Sequence, residues 1–155
     1  MFQDWYTFVT VGSTDFDALI KAVDTLAPSL NIHQGAMQIG HGHYRPRHLT
    51  YFRFTPTLDP YYERAALVIA HGGLGITMEV LQRGIPLVSV SNLDRYDNHQ
   101  DDLLQAMEDK GYLIWCRCLD DLETAIKTAR STTFQSYVQP ECQIHEVINS
   151  FLNSR

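Results

Sequence analysis

Three glycines, Gly72, Gly73 and Gly75, break the stretch LVIAHGGLGITMEVL between an apolar run and a helix-like pattern carrying Glu79. A helix that starts just after Gly73 or Leu74 presents several unpaired backbone N–H groups and its positive dipole end, a ready anion site. Glycine there lets a phosphate approach the main chain. The same turn also reads as a plain strand-to-helix corner with no ligand. It is not a dinucleotide fingerprint, because Gly73-Leu74-Gly75-Ile76-Thr77-Met78 lacks the third glycine, nor a P-loop, because no Gly-Lys-Ser/Thr occurs. Glu79, about one helical turn further on, is placed to accept hydrogen bonds from both hydroxyls of a ribose whose diphosphate sits on the turn. Alternatively it is a solvated carboxylate favoured by the helix dipole.

Downstream, NLDRYDNHQDDL (residues 92–103) gathers Asp97, Asn98, His99 and Gln100 at a helix start, donors and acceptors suited to sugar hydroxyls. One of Asp97 and Asn98 is expected to cap the helix as well. For a proton acceptor the candidates are His41, His43 and His99, because imidazole titrates near working pH. His41, His43 and His48 lack the cysteine or acidic companions of a zinc site. With Arg45, Arg47 and Arg53 they form a basic loop that could meet an acidic sugar, an acceptor diphosphate or only solvent. Asp15-Phe16-Asp17 has the form of a metal-binding acidic pair, but it opens a helix directly after Gly12, so capping is the expectation and no metal site is assigned.

The elements that must hold these residues alternate. Tyr6 to Val11 predicts a strand, and Phe16 to Leu26 a helix that ends before Pro28. Ile32 to Ile39 and Tyr51 to Phe54 predict strands, Leu58 to Ala66 a short helix, and Leu67 to Ala70 the strand that enters the glycine turn. A helix to Gly84, the strand Ile85 to Val90, a helix through Leu103 and Met107 to Gly111, the strand YLIWC and a helix from Leu119 to Ala129 complete the pattern. This is a doubly wound α/β fold: a mostly parallel sheet with helices on both faces. Its strand ends, Gly12-Ser13-Thr14, Gly40-His41-Gly42, His71 to Gly75 and Ser91 to Gln100, then share the rim where such sheets bind ligands.

With 155 residues, 45% apolar and 19% charged, the chain suits one globular domain, 1–155. A net charge of −6 excludes a nucleic-acid partner, which needs clustered cations. No apolar run is long enough to cross a bilayer, and Asp4 interrupts any leader-like start, so a cytoplasmic protein is expected. Three cysteines in no framework agree with a reducing compartment. Near the end, Ile144, Val147, Ile148, Phe151 and Leu152 form the stripe of an amphipathic helix over residues 141–153. It is expected to pack on its own sheet or against a partner; little positive charge on the polar face disfavours a membrane surface.

With those residues identified, the chain resembles the donor-binding half of a GT-B glycosyltransferase. It is similar to the C-terminal domain of the peptidoglycan N-acetylglucosaminyltransferase MurG. It is closer to the small catalytic subunits of two-part transferases, namely the dolichol-pathway N-acetylglucosaminyltransferase subunit and the PssE-type subunits of exopolysaccharide synthesis. FVTVGSTDFDALIKAVD, QIGHGHYRP, AHGGLGITMEVLQRGIPLVSV and YDNHQDDLLQAMEDKGYL carry the resemblance in order over almost the whole chain.

The resemblance implies that Gly73, Leu74 and Gly75 lie at the diphosphate of a UDP-sugar and Glu79 at its ribose, with Thr77 counted among the binding residues. Gly12, Ser13 and Thr14 would cover the phosphates, Phe54 with Thr55 and Pro56 would hold the uracil, and Asn98, His99 and Gln100 would face the sugar. The family usually has Ala where Gly72 stands and Thr or Ser where Ile76 stands; Thr77 comes one place later. It also implies a hexose transfer, of glucose, glucuronic acid or N-acetylglucosamine, that is inverting and independent of metal and cofactor. The acceptor would be a lipid-linked saccharide brought by a membrane-associated acceptor-binding subunit, which would recruit the chain to the cytoplasmic face of the membrane. The proton acceptor is then His99, His41 or a group of the partner. A non-catalytic nucleotide-binding or scaffolding module of the same fold is the competing expectation.

Overall fold

Consecutive residues of a strand face opposite sides of its sheet. In the first strand, β1 (Thr7–Thr10), Val9 enters one apolar core and Phe8 the other, as a sheet covered on both faces requires. The computed structural model describes residues 5–92 and 98–137, the side chains of Asn98 and His99 excepted. After β1 come α1 (Asp17–Leu26), β2 (Gly35–Gln38), β3 (Thr50–Phe52), α2 (Asp59–Arg64), β4 (Leu67–His71) and α3 (Leu74–Gln82). Next are β5 (Leu87–Val90), α4 (Asn98–Asp109), β6 (Ile114–Cys116), a 3-10 turn (Leu119–Asp121) and α5 (Leu122–Ser131). The strands form one sheet in the order β3-β2-β1-β4-β5-β6, every pair parallel.

The chain winds outward from β1 in one direction, then restarts at β4 and winds outward in the other. This reversal leaves a crevice beyond the ends of β1 and β4, where doubly wound sheets bind ligands. Leu19, Ile20 and Val23 of α1 and Leu122 and Ile126 of α5 cover one face with Val9, Ile69 and Val88. Tyr62 of α2, Val80 and Leu81 of α3 and Leu104 of α4 cover the other with Phe8, Val68 and Leu87. The expected α/β architecture is therefore present. The helix expected over 141–153, together with Asp97 and Cys142, lies outside the described residues.

Five of the six strands are shorter than their apolar runs predict, β2 most of all. Ile32 and Ile39 flank β2 and are almost fully buried, so core packing rather than ladder pairing makes them apolar. The acidic start of α1 differs more. Phe16 occupies the cap position with no side-chain cap bond, whereas the Asp17 carboxylate accepts the backbone amides of His43 (3.0 Å) and Tyr44 (3.2 Å). Capping by Asp17 is therefore corrected: its carboxylate anchors the loop after β2. Two turns later Asp24, 1% exposed, accepts the Tyr44 hydroxyl (2.7 Å), the Arg47 amide (3.1 Å), the His48 amide (2.9 Å) and His48 Nδ1 (3.1 Å). Arg53 donates to the Gly40 and Gly42 carbonyls, so it braces the basic loop from the other side.

Burial alone would push the Asp24 carboxyl up, but the hydrogen bonds from Tyr44, His48 and Arg47 outweigh it and hold the group below its ordinary value. A carboxyl held low stabilises the fold above its unfolded value, near pH 4, and loses that contribution as pH falls through the folded value. Asp24→Ala is expected to cost roughly 2–4 kcal/mol at neutral pH in urea melts. The gap to the wild type should narrow in acid; a gap that stays constant there would refute the carboxylate account.

Candidate functional site

β4 brings His71 to the rim, and α3 begins at Leu74. Gly73 holds the cap position in an extended conformation (φ −67°, ψ 136°) with no side-chain cap bond. The first hydrogen bond of the helix runs from the Thr77 amide to the Gly73 carbonyl (3.1 Å), which leaves the amides of Leu74, Gly75 and Ile76 without a helical partner. Leu74 and Gly75 are exposed, and a methyl on Gly75 would meet none of the described residues within 4 Å. The turn is therefore an open, uncapped helix start with room above it.

The turns after β1 and β4 meet around His71. A Cβ on Gly73 would fall 2.6 Å from His71 Nε2, and one on Gly12 3.2 Å from His71 Cε1. No pattern in the sequence singles out His71 beyond its place at the head of the glycine turn. Ile76 Cδ1 would also lie 3.2 Å from a Cβ on Gly12, so an apolar side chain closes the turn on that side.

The first turn contributes less than expected. The Gly12 amide donates to Thr10 Oγ1 (3.0 Å), which donates to Gln38 Oε1 (2.7 Å). The Thr14 amide and hydroxyl both donate to the Val11 carbonyl (3.2 and 2.8 Å). Gly12 and Thr14 thus spend their donors on the fold, and the exposed Ser13 is the member of the trio left facing outward. Gly40 (φ +57°) locks this turn to the next: a Cβ there would sit 2.1 Å from the Thr14 carbonyl oxygen, to which the His41 amide donates (3.1 Å). No side chain fits that approach.

Thr77 is also corrected. It is fully buried, and its hydroxyl donates back to the Gly73 carbonyl at 2.7 Å. This is the bond that threonine commonly makes one helical turn back, and it turns Thr77 away from the rim. Glu79 is exposed, and its Oε2 accepts the Tyr62 hydroxyl at 3.2 Å. Burial first, then the neighbouring Glu79 carboxylate, push the Tyr62 hydroxyl well above its ordinary value, so it remains a donor. Sequence reasoning missed Tyr62, whose aromatic type reads simply as core.

On the far side of the turn, a Cβ on Gly72 would lie 3.1 Å from Leu104 Cδ1 and 3.8 Å from Gln100 Oε1. The first turns of α4 thus abut the glycine turn. Asn98 and His99 open the same helix, with side chains outside the described residues. Phe54, 52% exposed, follows β3, and the His41 ring meets it edge-on with centroids 5.0 Å apart. Three inter-strand steps separate β3 from β4, about 14 Å. His41 therefore stands at the Phe54 end of the rim, two strands away from the glycine turn, a place suited to the base of a nucleotide rather than to an acceptor hydroxyl. Among the described residues no three His, Cys, Asp or Glu side chains gather to hold a metal ion, and no helix is long and apolar enough to cross a membrane.

Residues 6–147 match the glycosyltransferase family 28 C-terminal domain. The chain is 37% identical over 123 residues to the UDP-N-acetylglucosamine transferase subunit ALG13 of Homo sapiens, covering 72% of this chain and 11% of that protein. The chain thus spans only about a tenth of the human relative's length. The subunit of the same name from Yarrowia lipolytica is 30% identical over 148 residues, covering 85% of this chain and 76% of that one. Among solved structures, MurG of Acinetobacter baumannii superposes with a TM-score of 0.65 at 20% identity, over 83% of this chain and 42% of that chain. With the family match running almost from end to end, this chain belongs to the glycosyltransferase family 28 C-terminal domain family, and its fold is the donor-binding half of the GT-B architecture.

Proposed function

We propose that the chain is the donor-binding subunit of a two-part, inverting glycosyltransferase. It would present UDP-N-acetylglucosamine to a lipid-linked saccharide held by a membrane-associated partner subunit, which recruits it to the membrane. The observation that carries this is the uncapped start of α3, with three free amides at residues 74–76 and Glu79 a turn behind them. A diphosphate on those amides would place its ribose at Glu79 and its base toward Phe54. Gln100 and the start of α4 would lie on the sugar side. The names of the human and Yarrowia relatives favour N-acetylglucosamine over glucose and glucuronic acid, and the word subunit in them favours a partner. Nothing in them points to exopolysaccharide synthesis.

Transfer from a UDP-sugar needs the departing diphosphate stabilised as its charge grows and a base for the acceptor hydroxyl. In this reading the α3 amides supply the first without a metal. The base is His99 or a group of the partner.

Calorimetric titration with UDP-N-acetylglucosamine, for the chain alone and co-expressed with its partner, should show saturable binding; no heat in either would end the proposal. Gly75→Ala should leave folding intact, gaining up to about 1 kcal/mol because glycine is costly in a helix. It should weaken UDP binding roughly tenfold by crowding the anion, and unchanged affinity would move the diphosphate elsewhere. Chelation with EDTA should leave the transfer rate as it was. A loss that added divalent cation restores would overturn the metal-free account.

A further inference from the structure

We infer that Tyr62 is a positioning residue for the donor's ribose: its hydroxyl holds the Glu79 carboxylate in the orientation that accepts the sugar's two hydroxyls. The inference rests on the ribose assignment proposed above.

Glu79 is exposed on α3, and a free glutamate samples many rotamers that a ligand must freeze. Tyr62 is not free. It is 2% exposed, its ring stands edge-on to Phe8 with centroids 5.6 Å apart, and the Arg83 guanidinium lies 4.9 Å from the ring centroid. Arg83 in turn pairs with Asp59 at the start of α2, so the two ends of that ion pair clamp α2 to the end of α3. The donor is thus fixed by the core while the acceptor sits on the surface.

One carboxylate oxygen, Oε2, accepts the Tyr62 hydroxyl at 3.2 Å. Oε1 and the remaining lone pair of Oε2 stay open, enough for two ribose hydroxyls. A carboxylate beside a diphosphate is also repelled by it, and a neutral donor on the far oxygen draws charge away from the ligand side. Tyr62 therefore serves both the aim and the electrostatics of Glu79 without touching the nucleotide.

Tyr62→Phe keeps the ring and removes only the donor. The full chain, wild type and variant, is titrated with UDP and with 2′,3′-dideoxyuridine diphosphate. Tyr62→Phe should weaken UDP about tenfold and leave the dideoxy compound within about twofold. Introduced into Glu79→Gln, it should add no further loss. Equal weakening of both ligands, no weakening of UDP, or an undiminished loss in the Glu79→Gln background would each overturn the inference. The wild type tells the two ideas apart: if it binds UDP and the dideoxy compound equally, the ribose assignment itself falls and takes this inference with it. If it prefers UDP and the variant keeps that preference, only the role of Tyr62 falls.

Discussion

The rest of the site depends on a helix that is allowed to start without a cap. A Ser, Thr, Asp or Asn at a cap position satisfies one open amide and stabilises a helix by about 1 kcal/mol, but at Gly73 its Cβ would fall 2.6 Å from His71 Nε2. Glycine forgoes the cap. The helix is held instead by what lies behind it: Val80 and Leu81 in the core, the Thr77 hydroxyl bonded back to the Gly73 carbonyl, and a β4 whose first four residues are fully buried. Stability from packing leaves the amides of residues 74–76 to an outside acceptor. Because all six strands are parallel, each helix that follows a strand starts on the same rim, and at the switch between β1 and β4 Leu74 and Gly75 are exposed among the described residues.

The charge balance sharpens this. The chain carries a net charge of −6, yet the proposed ligand is itself an anion. Charges spread over the surface are screened beyond about 8 Å at physiological ionic strength, so the local field of the helix start prevails over the distant total. That field is modest, typically 0.3–1 kcal/mol and up to about 2 when partly buried. It cannot bind a nucleotide alone. The remainder has to come from directional contacts away from the diphosphate, which gives Glu79 and the exposed Phe54 ring a purpose on a rim that would otherwise gain little from either.

What was legible in the sequence followed from periodicity and from glycine. Apolar runs bounded by glycine turns predict the strands, and the three-to-four spacing of α1 and α5 predicts their buried faces, because both patterns are local. The helix start at Gly73 was legible for the same reason, since free amides belong to the backbone whatever the side chains are. Thr77 and Asp17 were misread because a side chain's destination depends on about 100° of rotation per residue and on partners remote in the chain. The loop that Asp17 anchors lies 26 residues away, and Tyr62 and Glu79 are 17 apart. Thr10 and Gln38 did leave a signal, as polar residues inside apolar strands: they form the buried pair that consumes the Gly12 amide.

Under the proposed function the same rim supplies one side of the site. Leu74 and Phe54 are each 52% exposed and stand at opposite ends of the groove, one beside the free amides and one toward the edge strand. Single exposed apolar residues are ordinary, but Leu74 holds the first helical position, where its amide has no helical partner and its side chain is left exposed. A groove with a single wall cannot exclude water, and glycosyl transfer in open solvent competes with hydrolysis of the donor. Under the proposed function the second wall must come from the acceptor-binding subunit. The surface it should cover is the one that exposes Leu74, since closing over that side chain would bury apolar area and remove water from the diphosphate in the same movement.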